Sequence, residues 1–157
     1  MFTWLRSIRC VLFVIAVLAT GCTAAGPLYR PIEIIPPGQA LVYVYRQPSF
    51  AFSAQSVNIR VDGETVAKLL NGGYTAMGLS PGDHTLTLYV GMFLSRLHQK
   101  VHMEAGQTYF FAMRARSFGL GVEWAFTPVG SKLAEQQIAE LHYQAPIKYG
   151  IPESQKP

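Results

Sequence analysis

Leu41-Val42-Tyr43-Val44-Tyr45 is an unbroken run of aliphatic, β-branched and aromatic residues. Its length and composition suit a strand, and because successive side chains point to opposite faces, it is apolar on both. Such a run reads as a central strand covered from two sides, not as one with a solvated face.

The segments around it are also strands. Val57, Ile59 and Val61 alternate with Asn58 and Arg60, and Asp62-Gly63 is a hairpin signal leading into Thr65-Val66-Ala67-Lys68-Leu69. Asn71-Gly72-Gly73 breaks the chain. Ser80-Pro81-Gly82-Asp83 places Pro and Gly at the centre of a type II turn, and His84 to Val90 follows with Leu86, Leu88 and Val90 inward. Leu97 to Met103, Tyr109 to Met113 and Val122 to Phe126 repeat the pattern, with Ala105-Gly106 turning the middle pair. The fold expected is mainly β, an antiparallel β-sandwich or partly open barrel over residues 40–145. It carries one C-terminal amphipathic helix: Ser131 offers an N-cap, Leu133, Ala134, Ile138 and Leu141 recur at helical spacing, and Pro146 stops the run. Thr23 to Gln39 holds four prolines and reads as an extended tether from which Ile32, Ile34 and Ile35 could dock on the domain; residues 146–157 read as a flexible tail.

With 157 residues, 50% hydrophobic and 14% charged, the chain has the composition of one folded domain. The formal charge of +4 falls to +2 without Arg6 and Arg9, and no basic cluster suggests a nucleic-acid footprint.

Those two arginines belong to a leader. Met1 to Arg9 is a short basic head, Cys10 to Leu18 is apolar, and Ala19-Thr20-Gly21 are small, the layout of a secretion signal over residues 1–21. A bilayer-spanning helix needs about 20 apolar residues, roughly twice this run. Cys10 leaves with the leader, so the mature chain keeps Cys22 alone and can form no internal disulfide.

Leu18-Ala19-Thr20-Gly21-Cys22 resembles a bacterial lipobox, with Ala19 where that motif usually has Leu, Val or Ile. The resemblance implies cleavage before Cys22, a diacylglycerol on its sulfur and an acyl chain on its nitrogen, and no other cofactor. At about 0.8 kcal/mol per buried methylene, two or three acyl chains hold a protein on a bilayer almost irreversibly. Thr23 in place of Asp implies, by resemblance to Gram-negative sorting rules, the periplasmic side of the outer membrane.

The segments "ALVYVYR", "VNIRVDGETVAKL", "GGYTAMGLSPGDHTLTL" and "GQTYFFAMR" resemble a family of small proteobacterial lipoproteins classed as a domain of unknown function, over about Pro37 to Phe126. The Pro-Gly-Asp-His turn is similar to that of small surface β-sandwich modules of the PEGA type. Both resemblances imply a fold and an accessory or binding role, with no activity attached.

No motif supports catalysis. Gly78-Leu79-Ser80-Pro81-Gly82 matches G-x-S-x-G, but the residue after the nucleophile must lend an N–H to the oxyanion hole, and Pro81 has none. His98 and His102 lie four apart on a strand, about 13 Å at 3.3 Å per residue, too far to share an ion. His84 and His142 read as isolated, and no metal site is expected.

What remains is apolar surface. Phe50 and Phe52, with Met92, Phe93 and Leu94, fall in connections, where they either form a contact patch or close the ends of the sandwich core. The expected function is a lipid-anchored, non-catalytic binding or structural accessory domain with a protein partner in the envelope. The alternative is a periplasmic binding module for a lipid or acyl chain, whose cavity would be lined by Phe110, Phe111, Trp124 and Phe126.

Overall fold

The computed structural model describes residues 23–50, 52–90, 98–118 and 121–157. The leader residues Leu18, Ala19, Thr20 and Gly21, the lipidation residue Cys22, and the patch residues Met92, Phe93 and Leu94 lie outside the described residues.

The Leu41-to-Tyr45 run falls in β1 (Ala40–Arg46), and every residue of it is buried. It is the middle strand of a five-stranded sheet containing β4 (Gly73–Leu79), β7 (Thr108–Phe118), β8 (Gly121–Pro128) and β9 (His142–Tyr143), ordered β8-β7-β1-β4-β9. β1 pairs antiparallel with β4 and parallel with β7, and β4 pairs parallel with β9, so this sheet is mixed. The second sheet is antiparallel throughout, ordered β3-β2-β5-β6, with β2 (Val57–Val61), β3 (Glu64–Leu69), β5 (Gly82–Tyr89) and β6 (His98–Met103). These two sheets make the sandwich.

The two faces of β1 separate two cores. Ala40, Val42 and Val44 pack into the space between the sheets with Val57, Ile59, Val61, Leu86, Leu88, Phe111 and Phe126. Leu41, Tyr43 and Tyr45 point to the other side, where they share the sheet face with Tyr74 and Phe110 beneath α1 (Ser131–Ile138). The doubly apolar sequence of β1 follows from this position.

Asp62 and Gly63 both take positive φ, 50° and 85°, as a two-residue type I′ hairpin requires. The other two turns act differently from hairpins. Gly82, at φ 126°, and Gly106, at φ 77°, sit in turns that carry the chain from one sheet to the other, β4 to β5 and β6 to β7. Local turn chemistry specifies a reversal but not the partner strand. β4, which begins in the glycine break, is fully buried.

The helix departs from expectation at both ends. Gly130, not Ser131, is the N-cap, and no side chain caps the first turn. Leu133 is half exposed, while Ala134, Ile138 and Leu141 are buried. The helix ends well before Pro146, because His142 donates its backbone N–H to the Gly72 carbonyl and the chain turns into β9.

Residues 23–39, expected to be a tether, lie on the outer face of the mixed sheet as a strap. Thr23 bridges Asn71 in parallel, Tyr143 donates its N–H to the Pro27 carbonyl at 2.7 Å, and Ile32 donates to the Tyr43 hydroxyl at 3.0 Å. Tyr29 packs edge-on against Tyr43 and Tyr74, and Ile32 and Ile35 join the same core, whereas Ile34 is exposed. Prolines exclude the strap from a central ladder without preventing its apolar residues from docking. Residues 146–157, expected to be flexible, are likewise held: Ile151 is buried, the Tyr149 carbonyl accepts from Gly78, and Ile147 donates to the Val66 carbonyl.

Candidate functional site

The two candidate aromatics that the structure describes lie on the β1–β2 loop, which leaves β1 after Arg46 and enters β2 at Val57. Its organiser is Arg46, fully buried at the end of β1. The Arg46 guanidinium donates to the carbonyls of Phe52 (2.6 Å) and Gln55, and lies 5.0 Å from the centre of the Trp124 ring. Burial pushes its pKa down from the ordinary arginine value, and among the described residues its charge meets carbonyl oxygens and a ring in place of a carboxylate.

This anchoring sends the two phenylalanines in opposite directions. Phe52, at φ 65°, turns inward and packs edge-on against Trp124 at 6.0 Å. Phe50 is fully exposed. The loop is fastened a second time through Asn71, which accepts from the Ser49 N–H at 3.0 Å and donates its amide to the Ser49 carbonyl at 3.2 Å. Of the candidate patch, then, Phe50 is a surface residue, and Phe52 is half-buried and packs against the core between the sheets. Arg46 and Asn71 were not recognised as site residues; the available signal was an arginine closing an otherwise apolar strand.

A polar edge occupies the opposite end of the sandwich. His84 sits mostly buried between two acceptors: Nδ1 lies 2.7 Å from Asp62 Oδ2 and Nε2 lies 2.8 Å from the Ser80 carbonyl oxygen. Both ring nitrogens can donate only when the imidazole is protonated. Desolvation lowers the His84 pKa, but the bonds to Asp62 and Ser80 and the charges of Asp62 and Asp83 outweigh it, so the net direction is up. The Thr85 N–H donated to Asp62 Oδ1, together with His84, outweighs desolvation and holds the Asp62 carboxyl below its ordinary value. His84 is thus not isolated but ties the β2–β3 hairpin to the turn entering β5. His142 is also engaged, through Nδ1 to the Gly26 carbonyl of the strap at 2.6 Å.

Next to His84, an open groove of about 470 Å³ is lined by Asp83, Thr85, Lys100, Val101 and His102. His102 Nδ1 meets Asp83 Oδ1 at 2.6 Å across the β5–β6 register. His98, further along β6, meets the Thr87 hydroxyl instead, so the two β6 histidines have separate partners. At Ser80 the His84 contact is to the backbone carbonyl oxygen and not to the hydroxyl.

The four aromatics expected to line one ligand cavity are divided. Phe111, Trp124 and Phe126 belong to the core between the sheets, and Phe110 to the core beneath the helix and strap, stacked on Tyr43 at 4.8 Å. All four are buried in packed clusters.

The chain is thus a two-sheet β-sandwich with a strap and a helix closing one outer face. It belongs to the family described as "Protein of unknown function (DUF2846)", whose model matches residues 36–125, more than half of its length. Comparison with curated proteins finds no match.

Proposed function

We propose that this is a lipid-anchored envelope lipoprotein whose sandwich serves as a non-catalytic binding or structural accessory. The observation that carries the reading is the junction between leader and fold. The lipobox-like stretch from Leu18 ends at Cys22, and the next residue, Thr23, is already bridged to Asn71, so cleavage before Cys22 leaves the described residues whole.

The chemistry on the described surface agrees with an accessory role. His84 pairs with Asp62 and His102 with Asp83 along one edge beside a shared groove, and Lys148 pairs with Glu64 two residues from Asp62, a polar edge of mutually paired side chains that suits a polar contact. An anchored domain is confined to two dimensions, so a weak interface gains effective concentration against an envelope partner. By the sorting resemblance, the membrane is the outer one, with the domain on its periplasmic side.

The test is mass spectrometry of the mature N-terminus with membrane fractionation of the natural chain and Cys22→Ser. The expected result is a diacylglyceryl, N-acylated Cys22 and a membrane-bound protein, with recovery in the membrane fraction lost in the variant. An unmodified cysteine on a chain that fractionates with soluble protein refutes the reading.

A further inference from the structure

The strap makes the position of the anchor geometrically specific. Thr23 bridges Asn71 in parallel, and Ala24 donates its N–H to the Asn71 carbonyl at 3.0 Å, beside the start of β4. Gln39, at the other end of the strap, accepts from Gly106 and precedes Ala40, which pairs with Leu79 at the end of β4. The strap therefore runs the length of the sandwich, and the chain enters at the end where β1 finishes, which is the end that carries the β1–β2 loop.

Asn71 joins the two features. Its backbone carbonyl holds the first residues of the strap, and its side chain holds Ser49 in both directions. Phe50 is the next residue, fully exposed, and Arg46 fixes the far side of the same loop through Phe52 and Gln55. Cys22 is one peptide unit, about 3.8 Å, from Thr23, and strand spacing is about 5 Å, so the acylated residue and Phe50 lie within roughly 20 Å of each other.

A single exposed apolar residue is ordinary on a protein surface. Here, however, it is presented by a buried arginine and a clasped asparagine at the end from which the acyl chains must reach lipid. A free tether of this length would hold the domain tens of Å from the bilayer; a docked strap does not. Aromatic rings next to a lipid attachment point suit the headgroup and acyl boundary.

Building on the lipid-anchor reading, we infer that the β1–β2 loop end is a membrane-apposed surface, with Phe50 entering the lipid interface beside the acylated Cys22. The occupant is the bilayer that carries the anchor. The sandwich then has a set orientation, with the Gly82 and Gly106 turns pointing away from the membrane.

Because an acylated Cys22 has no free thiol, Phe50→Cys introduces a unique labelling site. So does Ala105→Cys, in the exposed turn at the opposite end. Each full chain is purified from membranes, checked by mass for acylation, labelled with an environment-sensitive fluorophore and placed in vesicles of phosphatidylethanolamine and phosphatidylglycerol, with and without nitroxide-bearing lipid. The expected result is a blue-shifted emission, quenched several-fold by the nitroxide, at position 50 and neither effect at position 105. An acylated, vesicle-bound protein with both labels equally in water overturns the orientation while leaving the anchor intact. A chain without acyl groups that stays off the vesicles overturns both.

Discussion

Replacing Arg46 with Met tests the account of the loop end most directly. Arg46 makes two bonds from a charged donor to backbone carbonyls, each contributing about 1.5–3 kcal/mol, and a contact with the Trp124 ring contributing about 0.5–2 kcal/mol. Against this stands the cost of burying a guanidinium, several kcal/mol, which the substitution relieves, while Met recovers part of the apolar packing. Phe52 and Gln55 then lose the donor to their carbonyls, and the net loss expected is about 2–4 kcal/mol. At roughly 3–4 °C per kcal/mol for a chain of this size, Tm falls by roughly 10 °C. The assay is urea and thermal unfolding followed by circular dichroism, with limited chymotrypsin digestion to detect early release of the loop at Phe50 and Phe52. Arg46→Lys should lose as much, because a single ammonium lacks the planar fork that serves two carbonyls and is more strongly hydrated. Unfolding of Arg46→Met within about 0.5 kcal/mol of the natural protein, with unchanged digestion, would refute the role given to Arg46.

Two further outcomes are expected. His84 has a folded pKa above its unfolded value of about 6.5, so its contribution is complete below that value and is lost as pH rises through the higher folded value; Asp62, shifted down, contributes above about pH 4 and loses its share only as pH falls through its lower folded value. Urea unfolding between pH 5.5 and pH 8.5 should therefore show stability falling across neutral pH, and His84→Gln should flatten that fall; an identical slope in the variant counts against the pairing. Gly26→Ala would place a Cβ 1.9 Å from the Tyr143 carbonyl oxygen, a backbone atom fixed in β9, so the strap should lift, with loss of amide-exchange protection at Tyr143 and about 2–3 kcal/mol of stability; retained protection would show that the strap is not seated as described.

Strands with alternating or doubly apolar patterns were legible because side-chain period and burial coincide: β1, β2 and β5 lie where the runs from Leu41, Val57 and His84 indicate. What could not be read was which strand each would pair with. Pro81-Gly82 and Ala105-Gly106 encode changes of direction, and only the packing of two sheets converts these into crossings between layers. β4 was obscured by its two glycines, Gly73 and Gly78, which carry no side chain to mark a buried strand. The docking of the strap and tail was not legible for a related reason. Proline content reports the absence of ladder donors, whereas Tyr29, Ile32 and Ile151 report docking, and the latter depends on a sheet face assembled from distant segments. His84 shows the same limit: its partners, Asp62 and Ser80, are joined by the fold and not by spacing.

The strap also bears on where a partner can bind. It shares with the helix and Ile151 the task of covering the outer face of the mixed sheet, so the apolar residues Leu41, Tyr43 and Tyr74 are satisfied within the chain. The outer face of the antiparallel sheet carries the half-buried Asn58 and Arg60 and the exposed Lys100 and His102. A domain with its Phe50 end against lipid presents this polar face sideways and the edge formed by Asp62, Asp83, His84 and His102 outward. On the proposed reading, an envelope partner recognised from those positions would meet a polar surface, the kind of interface that gains most from the effective concentration supplied by an anchor. On the proposed reading, anchor, strap and polar edge form one device: the lipid would set the plane, the strap the orientation, and the far edge the contact.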